Sequence, residues 1–114
     1  MSRPNIVFIF ADDWGWGDLS CYGHPHVKTP NLDRLAAQGT LFSQFYVCSG
    51  VCSPSRAAMM TGRFPAHWGI YGHLASHSQN AARGMPNYLV PDSVTITRLL
   101  QQSGYAVGHF GKWH

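Results

Sequence analysis

Charge is scarce in this chain and nowhere concentrated. Eight Lys and Arg stand against five Asp and Glu, giving a net charge of +3 and an isoelectric point near 9.0. No Lys/Arg run of the kind that follows a phosphate backbone is present, so no nucleic-acid partner is expected; a small anionic substrate fits the mild basic excess better. No apolar run approaches the roughly 18 residues of a membrane span. The start shows neither a charged n-region with a long h-region nor a cleavage site. As written, the chain is expected to be soluble and cytoplasmic; a periplasmic or secreted location stays open if the start is incomplete.

Cysteine is also sparse. Cys21, Cys48 and Cys52 make an odd number with no framework spacing, so the fold is not expected to rest on disulfides. Together with His24 and His26 they lack the repeated C-x2-C or H-x3-H spacing of structural zinc sites, and the two histidines read as ordinary loop residues. Internal repeats and low-complexity tracts are absent.

What the chain does have is a stretch built for chemistry. In Val51-Cys52-Ser53-Pro54-Ser55-Arg56 a small sulfur side chain stands just ahead of a helix start. Pro54 suits the first helical position and Ser53 the N-cap, so the helix is expected to begin at Pro54 and stop at Gly62. Free N–H groups and the positive dipole end near Cys52 favour a tetrahedral oxyanion, and Arg56 adds a positive charge one turn in.

With 114 residues and 45% hydrophobic content, one domain or part of one is expected. Asn5–Ala11 is a near-continuous apolar run, the pattern of a strand covered on both faces. Asp12-Asp13 follows at its carboxyl end, either as a solvated turn or in the crevice where open α/β sheets bind ligands. Residues 29–39 read as a helix with Thr29 as N-cap, Pro30 at N1 and Gly39 at C′. Leu41–Val47 reads as a strand or extended segment.

From Arg63 to Pro91 the chain reads as a long ordered loop rich in Gly, His, Ser and Asn, its aromatic residues arguing against disorder. Asp92-Ser93 is expected to cap a helix ending at Gly104, and Tyr105–Phe110 to return as a strand. The alternation of strand and helix predicts a parallel α/β sheet.

Three motifs then stand in order: Asp12-Asp13 after the first strand, Cys52-Ser53-Pro54-Ser55-Arg56 at a helix start, and Gly111-Lys112-Trp113-His114 after the last strand. Together they resemble the N-terminal portion of a formylglycine-dependent type I sulfatase of the alkaline-phosphatase superfamily, of the arylsulfatase and N-acetylgalactosamine-6-sulfatase kind. Gly50–Gly62 is similar to the first sulfatase signature throughout, and residues 29–36 are typical of the family. The second signature fits at Gly104-Tyr105 and at 111–114, and departs at Val107 and Phe110.

The resemblance implies an alkaline-phosphatase-like, mostly parallel sheet flanked by helices, with residues 1–114 as a fragment of the catalytic domain. It implies that a maturation enzyme oxidises Cys52 to formylglycine, whose hydrate attacks sulfur with one oxygen and expels sulfate with the other. Asp12, Asp13 and modified Cys52 would bind Ca²⁺, or Mg²⁺, as hard oxygen donors do. Arg56 would steady the modified residue, Lys112 would contact the sulfate and bridging oxygens, and His114 would take the proton that triggers elimination. The implied substrate is a sulfated small molecule or sulfated carbohydrate. Phosphonate or phosphate ester hydrolysis within the same superfamily is the alternative activity, and an inactive truncated fragment is the alternative of another class.

Overall fold

The structure, a computed structural model, describes residues 3–114. Its regular structure consists of α1 (Pro30–Gln38), α2 (Cys52–Thr61), α3 (His77–Ala82) and α4 (Ile96–Gln102), with short 3-10 turns at Ser20–Tyr22 and Pro65–Trp68. The chain forms two compact units, one ending at Phe45 and the other spanning Tyr46–His114.

In the first unit α1 starts where Pro30 removes an N–H that no helical carbonyl would meet. Thr29 holds the N-cap position, but its hydroxyl does not cap the helix. It donates instead to Asp33 Oδ1 (3.0 Å). Ser20 Oγ donates to Asp33 Oδ2 (2.6 Å), and Thr29 N–H donates to Ser20 Oγ (2.8 Å), so one carboxylate pins the turn at Ser20–Tyr22 onto the start of α1. These donors, Ser20 first and then Thr29, hold the Asp33 carboxyl below its ordinary value of 3.8 against an opposing desolvation. Gly39 ends α1 with φ −119°, not in the left-handed conformation a C′ glycine usually takes.

The second unit holds a small core of Ala57, Ile70, Leu74 and Met85, with Trp68 and Leu89 packed against it. Three of the four core residues come from the span expected to be a loop. That span carries the Pro65–Trp68 turn and α3, which opens with a reciprocal capping box: Ser76 Oγ accepts from Gln79 N–H while the Gln79 side chain accepts from Ser76 N–H. Asn80 of α3 is fully buried. Its carboxamide accepts from Ala75 N–H (2.9 Å) and donates to the Ala75 carbonyl (3.1 Å), which satisfies polar groups that would otherwise be stranded beside the core. At the end of α2 Trp68 Nε1 donates to Thr61 Oγ1 (3.0 Å), and α4 packs alongside the helix. Helix α4 is capped by Thr95, whose hydroxyl accepts from Arg98 N–H, and not by the expected Asp92-Ser93.

The expected α/β class is overturned. Asn5–Ala11, Leu41–Val47 and Tyr105–Phe110 are all coil, and among the described residues there is no strand. Val7 is 84% exposed, Ile9 79%, Phe45 76% and Phe110 93%. An apolar run becomes a strand only when neighbouring strands complete its ladder and layers cover its two faces; the described residues supply neither. Leu41–Phe45 is instead held by side chains, with Tyr22 Oη donating to the Phe42 carbonyl (2.8 Å) and Trp16 Nε1 to the Ser43 carbonyl (3.0 Å).

Candidate active site

The start of α2 lies two residues earlier than its sequence suggests. Val51 is the N-cap, with extended backbone, and its carbonyl accepts the first helical bond from Ser55 N–H (3.1 Å). Cys52, Ser53 and Pro54 are therefore the first three helical residues. Proline is tolerated at any of them, because no N–H in the first turn has an intrahelical partner. Ser53 is freed from capping and does something else: buried, it accepts from Leu74 N–H through Oγ (2.9 Å). The helix ends as expected at Gly62, which takes the left-handed conformation (φ 65°) and donates to the Ala58 carbonyl (2.8 Å).

Cys52 is half-buried, a free thiol, with Sγ 4.0 Å from Ser53 Oγ. Residues 53–58 behind it are all buried, so the side chain stands at the edge of a solid platform. Arg56 is only 5% exposed, and its Nη1 donates to the Lys112 carbonyl (2.7 Å). A guanidinium is expensive to bury, and this charge-assisted bond offsets part of that cost. The bond draws the Gly111–His114 segment onto the helix that carries Cys52. Lys112 and His114 are themselves exposed.

Asp12 and Asp13 belong to the first unit, and both are exposed. Asp13 has φ 58°, the positive φ of a non-glycine residue, which a short carboxylate side chain tolerates and which is enriched at functional turns. The following turn is closed by Asp18, whose Oδ2 accepts from Gly15 N–H (2.6 Å). Two carboxylates are hard oxygen donors suited to Ca²⁺ or Mg²⁺, and they supply part of the six to eight oxygens that Ca²⁺ takes. Among the described residues no group of three or more His, Cys, Asp or Glu comes together to hold a metal.

The structure thus joins Cys52, Arg56 and the Lys112 backbone in one unit. Sequence reasoning missed the Ser53–Leu74 bond, which links positions 21 apart with no local pattern to announce it. It also missed α3, for which Ser76-His77-Ser78-Gln79 was a readable capping signal.

A helix-borne cysteine with a buried arginine one turn on, and a Gly-Lys-Trp-His segment tied to that arginine, define a class, and the comparisons agree: the chain belongs to the sulfatase family, whose model matches residues 4–114. The chain is 52% identical to arylsulfatase A of Homo sapiens over 112 residues, covering 97% of this chain and 21% of the relative. Against arylsulfatase A of Bos taurus the identity is 50% over 113 residues (99% and 21%), and against N-acetylgalactosamine-6-sulfatase of Sus scrofa it is 48% over 118 residues (97% and 22%). The chain thus spans about a fifth of the length of these relatives. Among the described residues no helix is long and apolar enough to cross a membrane.

Proposed function

We propose that this chain carries the nucleophile half of a sulfuric ester hydrolase, with Cys52 converted to formylglycine. The observation that carries the reading is the Arg56 Nη1 bond to the Lys112 carbonyl, which joins two motif segments 56 residues apart. Family membership and relatives named arylsulfatase and N-acetylgalactosamine-6-sulfatase support a sulfate monoester as substrate, on an aryl or a sugar leaving group.

In this reading the chain's residues divide the work. The first turn of α2 offers backbone N–H groups without helical partners, so it favours the anionic sulfuryl group beside residue 52. Arg56, fixed by its buried position and its bond, contributes positive charge one turn below and holds Lys112 in place. Lys112, exposed on that tether, donates to a sulfate oxygen and to the bridging oxygen as charge develops there. His114, two residues on, moves a proton to or from the residue 52 oxygen. Formylglycine, once hydrated, supplies a geminal diol with one oxygen for attack and one for release. Asp12 and Asp13 are the residues here that would hold Ca²⁺, a cation that would supply Lewis-acid chemistry. The maturation enzyme is the implied protein partner.

Mass spectrometry tests the reading on the full-length protein. Trypsin releases residues 35–56 as one peptide holding both Cys48 and Cys52, so fragmentation must locate the change. A loss of about 18 Da relative to the thiol at residue 52, with Cys48 intact, is the expected result. An unmodified Cys52 after co-expression with a competent maturation enzyme would sink it. Faster turnover of a phosphonate monoester than of an aryl sulfate would transfer the site to the related phosphonate chemistry.

A further inference from the structure

The first turn of α2 carries Cys52, yet no side chain caps it. Val51 at the N-cap has no hydroxyl, amide or carboxylate to offer, and no side-chain bond closes that end. Helix ends fray, and Cys52 is the first residue of this one. Ser53 supplies what the cap does not. Its Oγ accepts from Leu74 N–H at 2.9 Å, in a buried bond that reaches across 21 positions, and Ser53 itself is 2% exposed.

The far side of this clamp is itself held on both flanks. Leu74 is buried in the core. The His73 carbonyl before it accepts from Arg83 Nη2 (3.0 Å), and Ala75 N–H after it donates to Asn80 Oδ1 (2.9 Å). Asn80 is fully buried, and its Nδ2 donates on to Asn87 Oδ1 (3.1 Å). A reacting group needs such support, because its position must be set by packed and hydrogen-bonded neighbours before substrate arrives.

A serine hydroxyl has two acceptor lone pairs and one proton to give. Leu74 N–H takes a lone pair, and burial keeps bulk water from the proton. The polar atom that the structure sets beside it is Cys52 Sγ, 4.0 Å from Ser53 Oγ. Buried donors go to the acceptor within reach, and here that is the heteroatom of residue 52. Resting on the sulfatase reading, we infer that Ser53 is a positioning residue for the reaction at residue 52: it clamps the uncapped first turn of α2 to the Leu74 amide and presents its hydroxyl to the residue 52 side chain. It acts through residue 52 alone, fixing the direction in which that side chain meets the sulfuryl group.

The test uses the full-length protein and 4-nitrophenyl sulfate, with kcat expressed per residue 52 aldehyde. Ser53→Ala should lower kcat by about three- to tenfold, the worth of one neutral hydrogen bond, and leave KM within about twofold. Ser53→Thr keeps the hydroxyl and should restore kcat. Gly62→Ala strains the same helix at its other end, so it controls for lost stability and should keep the parental kcat. Crystals should show the residue 52 side chain in a single rotamer in the parent and in more than one in Ser53→Ala. Parental kcat in Ser53→Ala, an equal loss in Gly62→Ala or an unchanged single rotamer overturns the assignment, as does a Ser53→Thr protein with the parental thermal midpoint that still shows the loss. If the parent carries no aldehyde or does not turn over the ester, the sulfatase reading fails by itself. The rotamer of the Cys52 thiol then decides the positioning role: order in the parent and disorder in Ser53→Ala support it, and no difference overturns it.

Discussion

Replacing Arg56 with Met is the sharpest perturbation of the proposed site, because it keeps an unbranched apolar stem and removes the guanidinium with its charge and donors. Arg56 is 5% exposed, and its Nη1 holds the Lys112 carbonyl at 2.7 Å. A hydrogen bond from a charged donor contributes about 1.5–3 kcal/mol. If that bond is what keeps Lys112 beside residue 52, its loss appears as lost transition-state stabilisation, a fall of about 10- to 150-fold in kcat/KM. Stability should respond less. Neutralising the side chain releases the desolvation cost of a buried guanidinium, several kcal/mol per ion, which offsets the lost bond. The thermal midpoint of the full-length protein should therefore move by less than about 4 °C. The assay is aryl sulfate turnover by full-length protein, corrected for aldehyde occupancy at residue 52. A variant with parental kcat/KM at equal occupancy would refute the reasoning, as would a collapse of the thermal midpoint that accounts for the whole activity loss.

Other consequences can be measured alongside. Gly62→Ala should cost about 1–2 kcal/mol by denaturant titration, because φ is 65° there and a Cβ would meet open space, leaving the left-handed backbone as the only penalty; a neutral effect would mean that α2 ends differently. The Asp33 carboxyl, lowered chiefly by Ser20, should titrate below 3.8 by NMR, so its contribution to stability is complete above that pH and is lost as pH falls through the depressed folded value. Asp33→Asn should flatten that acid limb, and an unchanged limb would count against the Ser20–Asp33 bond. Chelation with EGTA should abolish turnover by the full-length protein and added Ca²⁺ restore it, with Asp13→Asn weakening the restoring affinity; activity that survives exhaustive chelation removes the cation from the reading.

Some of this protein was written in local sequence. Pro30 opens α1 and Gly62 ends α2, because an imino acid without an N–H and a residue without a Cβ have conformational consequences that need no distant partner. Cys52 and Arg56 were legible as a motif, but that they stand one turn apart on a single helix was not, since Ser53-Pro54 pointed to a helix start after Cys52. Family membership was legible in the same motifs.

Tertiary structure decided the rest. Asn5–Ala11, Leu41–Val47 and Tyr105–Phe110 carry strand patterns yet stay coil, since a strand exists only through its neighbours and a side-chain pattern cannot supply them. Ser53 has the composition of an N-cap, but Leu74 N–H claimed its hydroxyl and the helix began at Cys52 instead. A polar side chain near a helix start goes to whichever buried donor would otherwise be unsatisfied, and that donor is known only once the chain has folded. For the same reason the stretch from Arg63 to Pro91, locally irregular, proved to hold most of the core, and Arg56 found Lys112. The sequence named the candidate site residues; the fold chose what braces them.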